Sequence, residues 1–173
     1  MDFVSDSLFD GRRFRALTLV DNFSRECLAI RAAPKIHGSH VAEILDEVVE
    51  AKGKPLRIYL DNGPEFISKA LDLWAYQANV TLDFSRPGKP TDNAYIESFH
   101  GSFLDECLNV NWFLSMEDAR AKIEAWRRDY NAFRPHSSFG EKPPSSSWDL
   151  GTGSPEDLNR KRSANPMFPV DLT

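Results

Sequence analysis

Residues 56–66 read LRIYLDNGPEF, and this stretch decides the fold class. Leu56, Ile58 and Leu60 alternate with other residues, which is typical of a β-strand. Residues 61–63, DNG, end the strand in a turn, and Pro64 suits the first turn of a following helix. The stretch therefore predicts a strand, a tight turn and a helix, the unit from which sheets covered by helices are built.

Upstream segments predict further strands. Residues 14–20 and 26–30 have the composition of strands, and residues 2–7 form a shorter, ambiguous segment. An Asp-Gly pair at 10–11 is a hairpin signal, and residues 21–24, DNFS, predict a second turn. The sequence therefore predicts antiparallel strands joined by hairpins, followed along the chain by a strand–helix–strand unit that includes the strand at 56–60.

The remaining chain predicts helices, one more strand and a tail. Ser39 is placed to cap a helix that Gly53 ends, and residues 80–84 alternate as a strand. Residues 85–92 have the composition of a loop, and residues from about 140 onward predict a tail with little regular structure.

Two apolar stripes complete the pattern. Their members at helical spacing are Ile96, Phe99, Phe103 and Cys107, and then Ala119, Ile123, Trp126, Tyr130 and Phe133. Ser115 with Asp118 resembles a capping box before the second helix. We expect Trp74, Trp112 and Trp126 in the core, with base stacking as the alternative. The order of elements predicts an α/β fold, a mixed sheet flanked by helices.

Composition narrows the class of protein. The chain has 173 residues with 41% hydrophobic and 12% aromatic residues, which predicts one globular domain. No apolar run approaches a membrane span and no signal peptide is evident, so a cytoplasmic protein is expected. Cys27 and Cys107 match no metal-ligand spacing and are expected to be reduced and buried.

A net charge of -5 argues by itself against nucleic acid as a partner. The argument is weak for a metal-dependent nuclease, because cations neutralise its acidic centre. Basic stretches at 12–13, 127–128 and 160–162 are either local phosphate contacts or ordinary solvated surface.

Three acids occupy places suited to metal chemistry. Asp61 ends a strand, Asp2 lies in the first candidate strand, and Glu97 lies early in a helix after a Pro/Gly loop. Carboxylates from separate elements are ligands for hard divalent cations, and two such ions about 4 Å apart serve phosphoryl transfer. The alternatives are an ordinary Asx turn at Asp61, a solvated Glu97 and an Asp2 without a role. Composition and periodicity alone do not connect the three.

Spaced motifs make that connection by resemblance. Residues 61–66 (DNGPEF), 89–99 (KPTDNAYIESF) and 130–138 (YNAFRPHSS) resemble the integrase-type core of insertion-sequence transposases of the OrfB type, the second reading frame. Residues 1–3 and 17–25 are similar to the first two strands of that family. Thirty-five residues, 62 to 96, lie between the second and third acids, as in the D,D-35-E motif. The resemblance covers roughly residues 1–145.

The resemblance implies a ribonuclease H-like fold and a two-metal polynucleotidyl transferase. It implies that Asp2, Asp61 and Glu97 are catalytic and bind two Mg²⁺ or Mn²⁺ ions. Water, and then a DNA 3′-hydroxyl, would attack a phosphodiester, giving strand cleavage and strand transfer at transposon ends. The implied partners are transposon-end and target DNA and other copies of the chain, with no membrane and no small-molecule substrate. The implied location is the bacterial cytoplasm, in association with DNA.

Four residues are implied DNA contacts: Lys89, Asn93, His100 and Arg134. Each of three has an alternative role. Asn93 could cap the helix instead, His100 could be a solvated surface residue, and Arg134 could stabilise the fold. We expect residues 1–145 to be the catalytic core and residues 146–173 a C-terminal tail.

The chain departs from the family pattern in two places. It starts one residue before Asp2, where the family has a longer strand and a preceding DNA-binding region, so an N-terminally truncated core is expected. Ser102 and Leu104 stand where the family usually carries basic residues, which implies a weakened DNA-holding face unless Leu104 packs inward. The competing functions are an inactive fragment that binds DNA or full-length transposase and inhibits it, and a structure-specific nuclease.

Overall fold

The computed structural model describes residues 1–85 and 94–133. The elements in chain order are β1 (Asp2–Ser7), β2 (Arg13–Val20), β3 (Cys27–Ala33), α1 (Gly38–Lys52), β4 (Arg57–Leu60), α2 (Lys69–Ala78), β5 (Thr81–Phe84), α3 (Ala94–Phe103) and α4 (Met116–Phe133). A π-helical segment, Leu104–Leu108, continues α3. The predicted order of elements is confirmed, and the ambiguous residues 2–7 form a full strand.

The strands combine antiparallel and parallel pairing. β1, β2 and β3 form an antiparallel sheet in which Asp2 lies opposite Thr18, and β4 and β5 form a parallel pair. The ladder hydrogen bonds of the described strands thus form an antiparallel and a parallel sheet, which together give the mixed pairing that the sequence predicted. The sheets meet where the backbone nitrogen of Met1 donates to the carbonyl of Tyr59 at 2.5 Å. We call this place, formed by residues 1–3 and 59–66, the β1–β4 junction.

Two apolar clusters lie on opposite faces of the antiparallel sheet, because successive strand residues point to opposite sides. The first cluster joins the sheet to α3 and α4 and includes Val4, Phe14, Ala16, Ile30, Phe99, Phe103, Ile123 and Tyr130. The second joins the sheets to α1 and α2 and includes Leu17, Leu19, Val41, Leu45, Leu60, Phe66, Leu71 and Trp74. Helices thus cover both faces, which makes a three-layer α/β architecture.

Both cysteines are free and buried, as expected, and both belong to the first cluster. Burial raises the pKa of the Cys27 thiol far above its usual range and raises that of Cys107 to about 12. Burial thus disfavours the thiolate, which is the nucleophilic form, at both cysteines.

Two helix starts differ from the predictions. α1 begins at Gly38, with His37 rather than Ser39 as its N-cap. The backbone at Gly38 passes so close to Ser68 that a Cβ there would lie 2.5 Å from the Ser68 Cβ. α2 begins at Lys69 rather than near Pro64, since the Ser68 hydroxyl accepts from the Leu71 nitrogen at 3.3 Å and caps the helix. Residues 64–67 form a turn instead.

Some aromatic side chains are more exposed than predicted. Trp112 is 73% exposed and packs edge-on against Phe9, so the prediction that it is a core residue was wrong. Phe133, predicted on the buried face of α4, is 77% exposed, whereas Trp74 is buried as expected. Among the helices of residues 1–85 and 94–133, none combines the length and apolarity needed to cross a membrane.

Candidate active site

The site begins with Asp2 and Asp61, which lie at the β1–β4 junction. Asp2 is the first residue of β1, and Asp61 directly follows the last residue of β4. Burial raises the pKa of the Asp2 carboxyl, and the negative charge of Asp61 raises it further, while a hydrogen bond from the Phe3 nitrogen at 2.6 Å opposes the change. Asp2 and Asp61 therefore lie at the same junction, where the Met1 nitrogen donates to the Tyr59 carbonyl.

Asp61 is held by its own turn and by the end of β5. Its Oδ1 accepts from the Gly63 nitrogen at 3.1 Å, which is an Asx turn. The Asn62 amide donates to the carbonyl of Ser85 at 2.8 Å, and the Ser85 nitrogen donates to the carbonyl of Leu60 at 2.8 Å. The turn fixes the carboxylate and leaves Oδ2 free of this hydrogen bond, so the turn role and a ligand role are compatible.

His100 approaches Asp2 from α3. Its Nε2 lies 2.8 Å from the Thr18 hydroxyl, which itself donates to the backbone oxygen of Asp2 at 2.9 Å. Because the Thr18 hydroxyl donates its only proton to the backbone oxygen of Asp2, the hydrogen bond with His100 requires Nε2 to donate to the Thr18 oxygen. Nδ1 then faces Asp2 Oδ2 at 3.7 Å. Burial, with a smaller effect of the Met1 ammonium, lowers the pKa of His100 to about 4, so the ring is neutral at pH 7.

A charged pair closes the other side of the junction. Arg15 on β2 donates to Glu65 Oε1 and lies over the Phe3 ring, 4.2 Å from its centroid. Phe3 stacks on Phe66 at 5.0 Å, so these contacts join β1, β2 and the turn after β4. The second oxygen of Glu65, Oε2, is buried, and no residue within 1–85 and 94–133 forms a hydrogen bond with it.

Gly63 brings Glu65 close to Asp61. A Cβ at Gly63 would lie 3.0 Å from Asp61 Oδ1 and 3.3 Å from Glu65 Oε2. A third carboxylate therefore borders the Asp2–Asp61 pair, although Glu65 was not among the predicted site residues. The sequence signal for Glu65 was ambiguous, because an acid soon after a turn is expected near any helix N-terminus.

Glu97 lies in the first turn of α3, with its side chain exposed. Within residues 1–85 and 94–133, no three His, Cys, Asp or Glu side chains are close enough together to hold a metal ion. The structure thus brings Asp2 and Asp61 together and does not bring Glu97 into a ligand set with them. The catalytic role of all three stays a prediction.

Of the four candidate DNA contacts, Lys89, Asn93 and Arg134 lie outside the described residues. The contacts of His100 are with Thr18 and Asp2, and its side chain is 13% exposed, so it is not a solvated histidine. Its role at DNA stays a prediction. The proposed boundary at residue 145 also lies outside the described part of the chain.

Leu104 is half-buried and packs against the first apolar cluster. It is therefore a packing residue at the start of the π-helical segment, and its interpretation as a lost DNA contact was wrong. The physical reason is that the face of α3 that follows Glu97 turns toward the core at this point, beside buried Phe103 and Leu108.

Comparison with known proteins identifies the family. Two models, each described as an integrase core domain, match residues 1–90 and 78–144. A 31.7 kDa protein of insertion element IS407 from Burkholderia multivorans is 51% identical over 145 residues, which are 84% of this chain and 52% of that protein. A 39.2 kDa protein of insertion element IS476 from Xanthomonas euvesicatoria is 49% identical, over 83% of this chain and 42% of that protein.

More distant relatives agree. The transposase InsF of insertion sequence IS3A from Escherichia coli is 26% identical, over 73% of this chain and 45% of its own length. The chain spans about half the length of the curated relatives it matches.

Solved structures show the same fold at low sequence identity. The simian T-cell lymphotropic virus intasome in complex with a PP2A regulatory subunit matches with a TM-score of 0.70 and 18% identity, over 89% of this chain and 56% of that chain. The catalytic core domain of HTLV-2 integrase in complex with magnesium matches with a TM-score of 0.58 and 18% identity, over 86% of this chain and 94% of that one. The chain therefore belongs to the integrase core domain family, has its ribonuclease H-like fold, and is related to the transposases of bacterial insertion sequences.

Proposed function

We propose that this chain is the catalytic core of a DNA transposase that cleaves transposon ends and joins them to target DNA. The observation that carries the proposal is the position of Asp2 at the start of β1 and of Asp61 directly after β4, at the junction where the Met1 nitrogen donates to the Tyr59 carbonyl. Family membership and the 35-residue interval before Glu97 support the same assignment. Glu97 is proposed as the third acid.

The donor set fits a hard divalent cation. Asp2 and Asp61 offer carboxylate oxygens, and the bordering Glu65 offers a buried Oε2 that has no hydrogen-bond partner in the described part of the chain. The two cysteines are buried elsewhere. Oxygen donors of this kind select Mg²⁺ or Mn²⁺ rather than Zn²⁺. Asp2, Asp61 and Glu97 would hold two such ions, which would supply activation of the attacking oxygen and charge stabilisation at the phosphate.

The protein's own part is orientation. The Phe3 nitrogen and the Gly63 nitrogen each fix one oxygen of Asp2 and Asp61, respectively, before any ligand arrives. Thr18 and His100 fix the Asp2 backbone and cover its other carboxylate oxygen. Such preorganisation lets charge that develops at the phosphate be stabilised without rearrangement of the site. Water, and then a DNA 3′-hydroxyl, is the proposed nucleophile.

The proposed partners are transposon-end DNA, target DNA and further copies of the chain, inside the bacterial cell. The related solved structures include a simian T-cell lymphotropic virus intasome and trimeric and dimeric forms of the HTLV-2 integrase catalytic core, and these assemblies are properties of those proteins. Lys89, Asn93, His100 and Arg134 are the proposed DNA contacts.

The test is cleavage of labelled insertion-sequence end DNA by the purified chain with Mn²⁺. We expect Asp61→Asn to lower cleavage on the order of 100-fold or more and to weaken Mn²⁺ binding in calorimetry, because a carboxylate ligand is lost. Asp72→Asn, the same change in an exposed first-turn residue of α2, is the control and should match the wild type. Glu97→Gln tests the third acid in the same assay.

The products decide the reaction class. Joined DNA products identify a transposase, whereas nicking without joining identifies a nuclease of the same fold. Unchanged cleavage and unchanged Mn²⁺ affinity in Asp61→Asn would rule out the assigned site.

A further inference from the structure

Arg25 has an unusual backbone conformation. In residues 1–85 and 94–133, the non-glycine residues with positive φ are Arg25, at 60°, and Asn79, at 51°. Asn79 is the C-cap of α2, a position where asparagine is well tolerated. Arginine has no such local compensation in the left-handed region, so its presence there indicates that its side chain is needed.

The turn holds Arg25 rigidly. Its nitrogen donates to the carbonyl of Asp21 at 2.8 Å, and the Asp21 nitrogen donates to the carbonyl of Glu26 at 2.9 Å. The neighbours Ser24 and Glu26 are both buried. The side chain of Arg25 therefore projects from a fixed turn at the end of β2.

The guanidinium rests on Tyr95. Its central carbon lies 3.4 Å from the centroid of the Tyr95 ring, which is close stacking with a cation–π component. Nη1 is buried and has no hydrogen-bond partner among the described residues. The contact thus persists despite two unfavourable features, the backbone conformation and an unsatisfied donor.

The contact reaches the helix that carries Glu97. Tyr95 lies in the first turn of α3, two residues before Glu97, and both side chains are exposed to solvent. The first turn of a helix lacks partners for its own N–H groups and frays readily. Deeper in α3, Phe99 and Phe103 anchor the helix in the core, whereas the ring under Arg25 ties the first turn to the sheet that carries Asp2.

We propose that Arg25 is a positioning residue for Glu97. Its guanidinium holds the Tyr95 ring and thereby fixes the first turn of α3, which carries Glu97, against the β2–β3 turn. The proposal rests on the proposed function, because it assumes that Glu97 acts in the site.

The test uses glycine, which suits both positive-φ positions. Arg25→Gly removes the guanidinium and relieves the backbone, and Asn79→Gly is the matched control at the end of α2. We expect both variants to keep or raise the melting temperature. In Arg25→Gly alone, amides 98–101, whose hydrogen bonds close the first turn of α3, should exchange with deuterium several-fold faster. Its kcat for Mn²⁺-dependent cleavage should fall roughly tenfold, with the KM for DNA unchanged.

A second pair of variants tests the ring. Tyr95→Phe keeps an aromatic face and should behave as the wild type, while Tyr95→Leu should reproduce the exchange and kcat changes of Arg25→Gly. Wild-type exchange and kcat in Arg25→Gly would overturn the proposal. So would a loss confined to KM and to the salt dependence of binding, since that result identifies a direct phosphate contact. If the wild type itself does not cleave DNA, the proposed function fails, and the exchange data still decide whether Arg25 holds the first turn.

Discussion

At the scale of single residues, Gly63 sets the spacing of the acids. Adding a Cβ there would push against Asp61 Oδ1 at 3.0 Å and Glu65 Oε2 at 3.3 Å. We expect Gly63→Ala to weaken Mn²⁺ binding several-fold in calorimetry. The free energy of unfolding should change by less than about 1 kcal/mol, because the crowded atoms are the ends of movable side chains.

Gly101 provides the control for this substitution. It lies inside α3, and no atom of the described residues comes within 4 Å of the place that a Cβ would take. Gly101→Ala should therefore stabilise the protein by about 0.5–1 kcal/mol and leave Mn²⁺ binding unchanged. Equal Mn²⁺ affinity in Gly63→Ala and the wild type would show that the spacing at Gly63 does not matter for the metal.

At this scale the sequence predicted part of the site. Asp61 had a local signal, since strand ends are where sheet-based sites form, whereas Asp2 was predicted from the family resemblance. The structure places both residues at one junction. Arg15 and Thr18 were not predicted, because their roles depend on the β1–β2 register, which composition does not reveal. Trp112 was misassigned because hydrophobicity alone does not distinguish a core ring from an exposed one.

At the scale of elements, α4 is fixed to β3 by polar contacts. Arg127 pairs with Glu124 and donates to the carbonyl of Cys27 at 2.8 Å. Asn131 donates to the same carbonyl at 3.0 Å and accepts from the Cys27 nitrogen at 2.8 Å. Hydrogen bonds from Arg127, above all, and from Arg128 lower the pKa of Glu124 from 4.5 to about 2.

This shift predicts the pH dependence of stability. A carboxyl whose pKa is lower in the folded state stabilises the protein above its unfolded pKa, and that contribution is lost as the pH falls from 4.5 toward about 2. Glu124→Gln should therefore lower the free energy of unfolding by about 1 kcal/mol at pH 7, a modest value because the pair is partly solvated. The difference should disappear near pH 2. Urea unfolding at several pH values measures it.

Glu43→Gln, an exposed residue of α1, is the matched control and should stay within about 0.5 kcal/mol of the wild type. A deficit in Glu124→Gln that is the same at pH 7 and pH 2 would contradict the ion-pair explanation.

Helix and strand interiors were predicted well, because hydrophobic periodicity fixes them. The first residues of α1 and α2 were predicted less well. Ser39 and Pro64 are good local signals, but the close approach of Gly38 to Ser68 and the cap at Ser68 depend on how α1 packs against α2. Local sequence carries no information about such contacts between elements.

At the scale of the whole molecule, Asp2 belongs to one sheet and Asp61 follows the other. A cation held by both carboxylates would link the two sheets in the folded state only. Mn²⁺ at 100 times its dissociation constant should therefore raise the free energy of unfolding by about 2.7 kcal/mol. Because the pKa of Asp2 is raised, protons compete with the cation at a higher pH than for an ordinary aspartate, and the gain should shrink as the pH falls.

Thermal melts with and without Mn²⁺ measure this gain. Asp61→Asn should abolish most of it, and Asp72→Asn should retain it. A full gain in Asp61→Asn would place the stabilising ion elsewhere on the molecule.

The π-helical segment Leu104–Leu108 has a consequence for how this chain aligns with its relatives. In this segment the Asn109 nitrogen donates to the carbonyl of Leu104, five residues earlier, at 2.8 Å. In an α-helix the acceptor lies four residues earlier, so the segment contains one additional residue. Losing one exposed residue here, such as Asp105, would restore ordinary helical hydrogen bonding and leave both flanks in place. A relative with a single-residue gap at this point would therefore keep the same core. Its residues after the gap should be aligned through the position of Cys107, because their distance along the sequence from Glu97 would be one residue shorter.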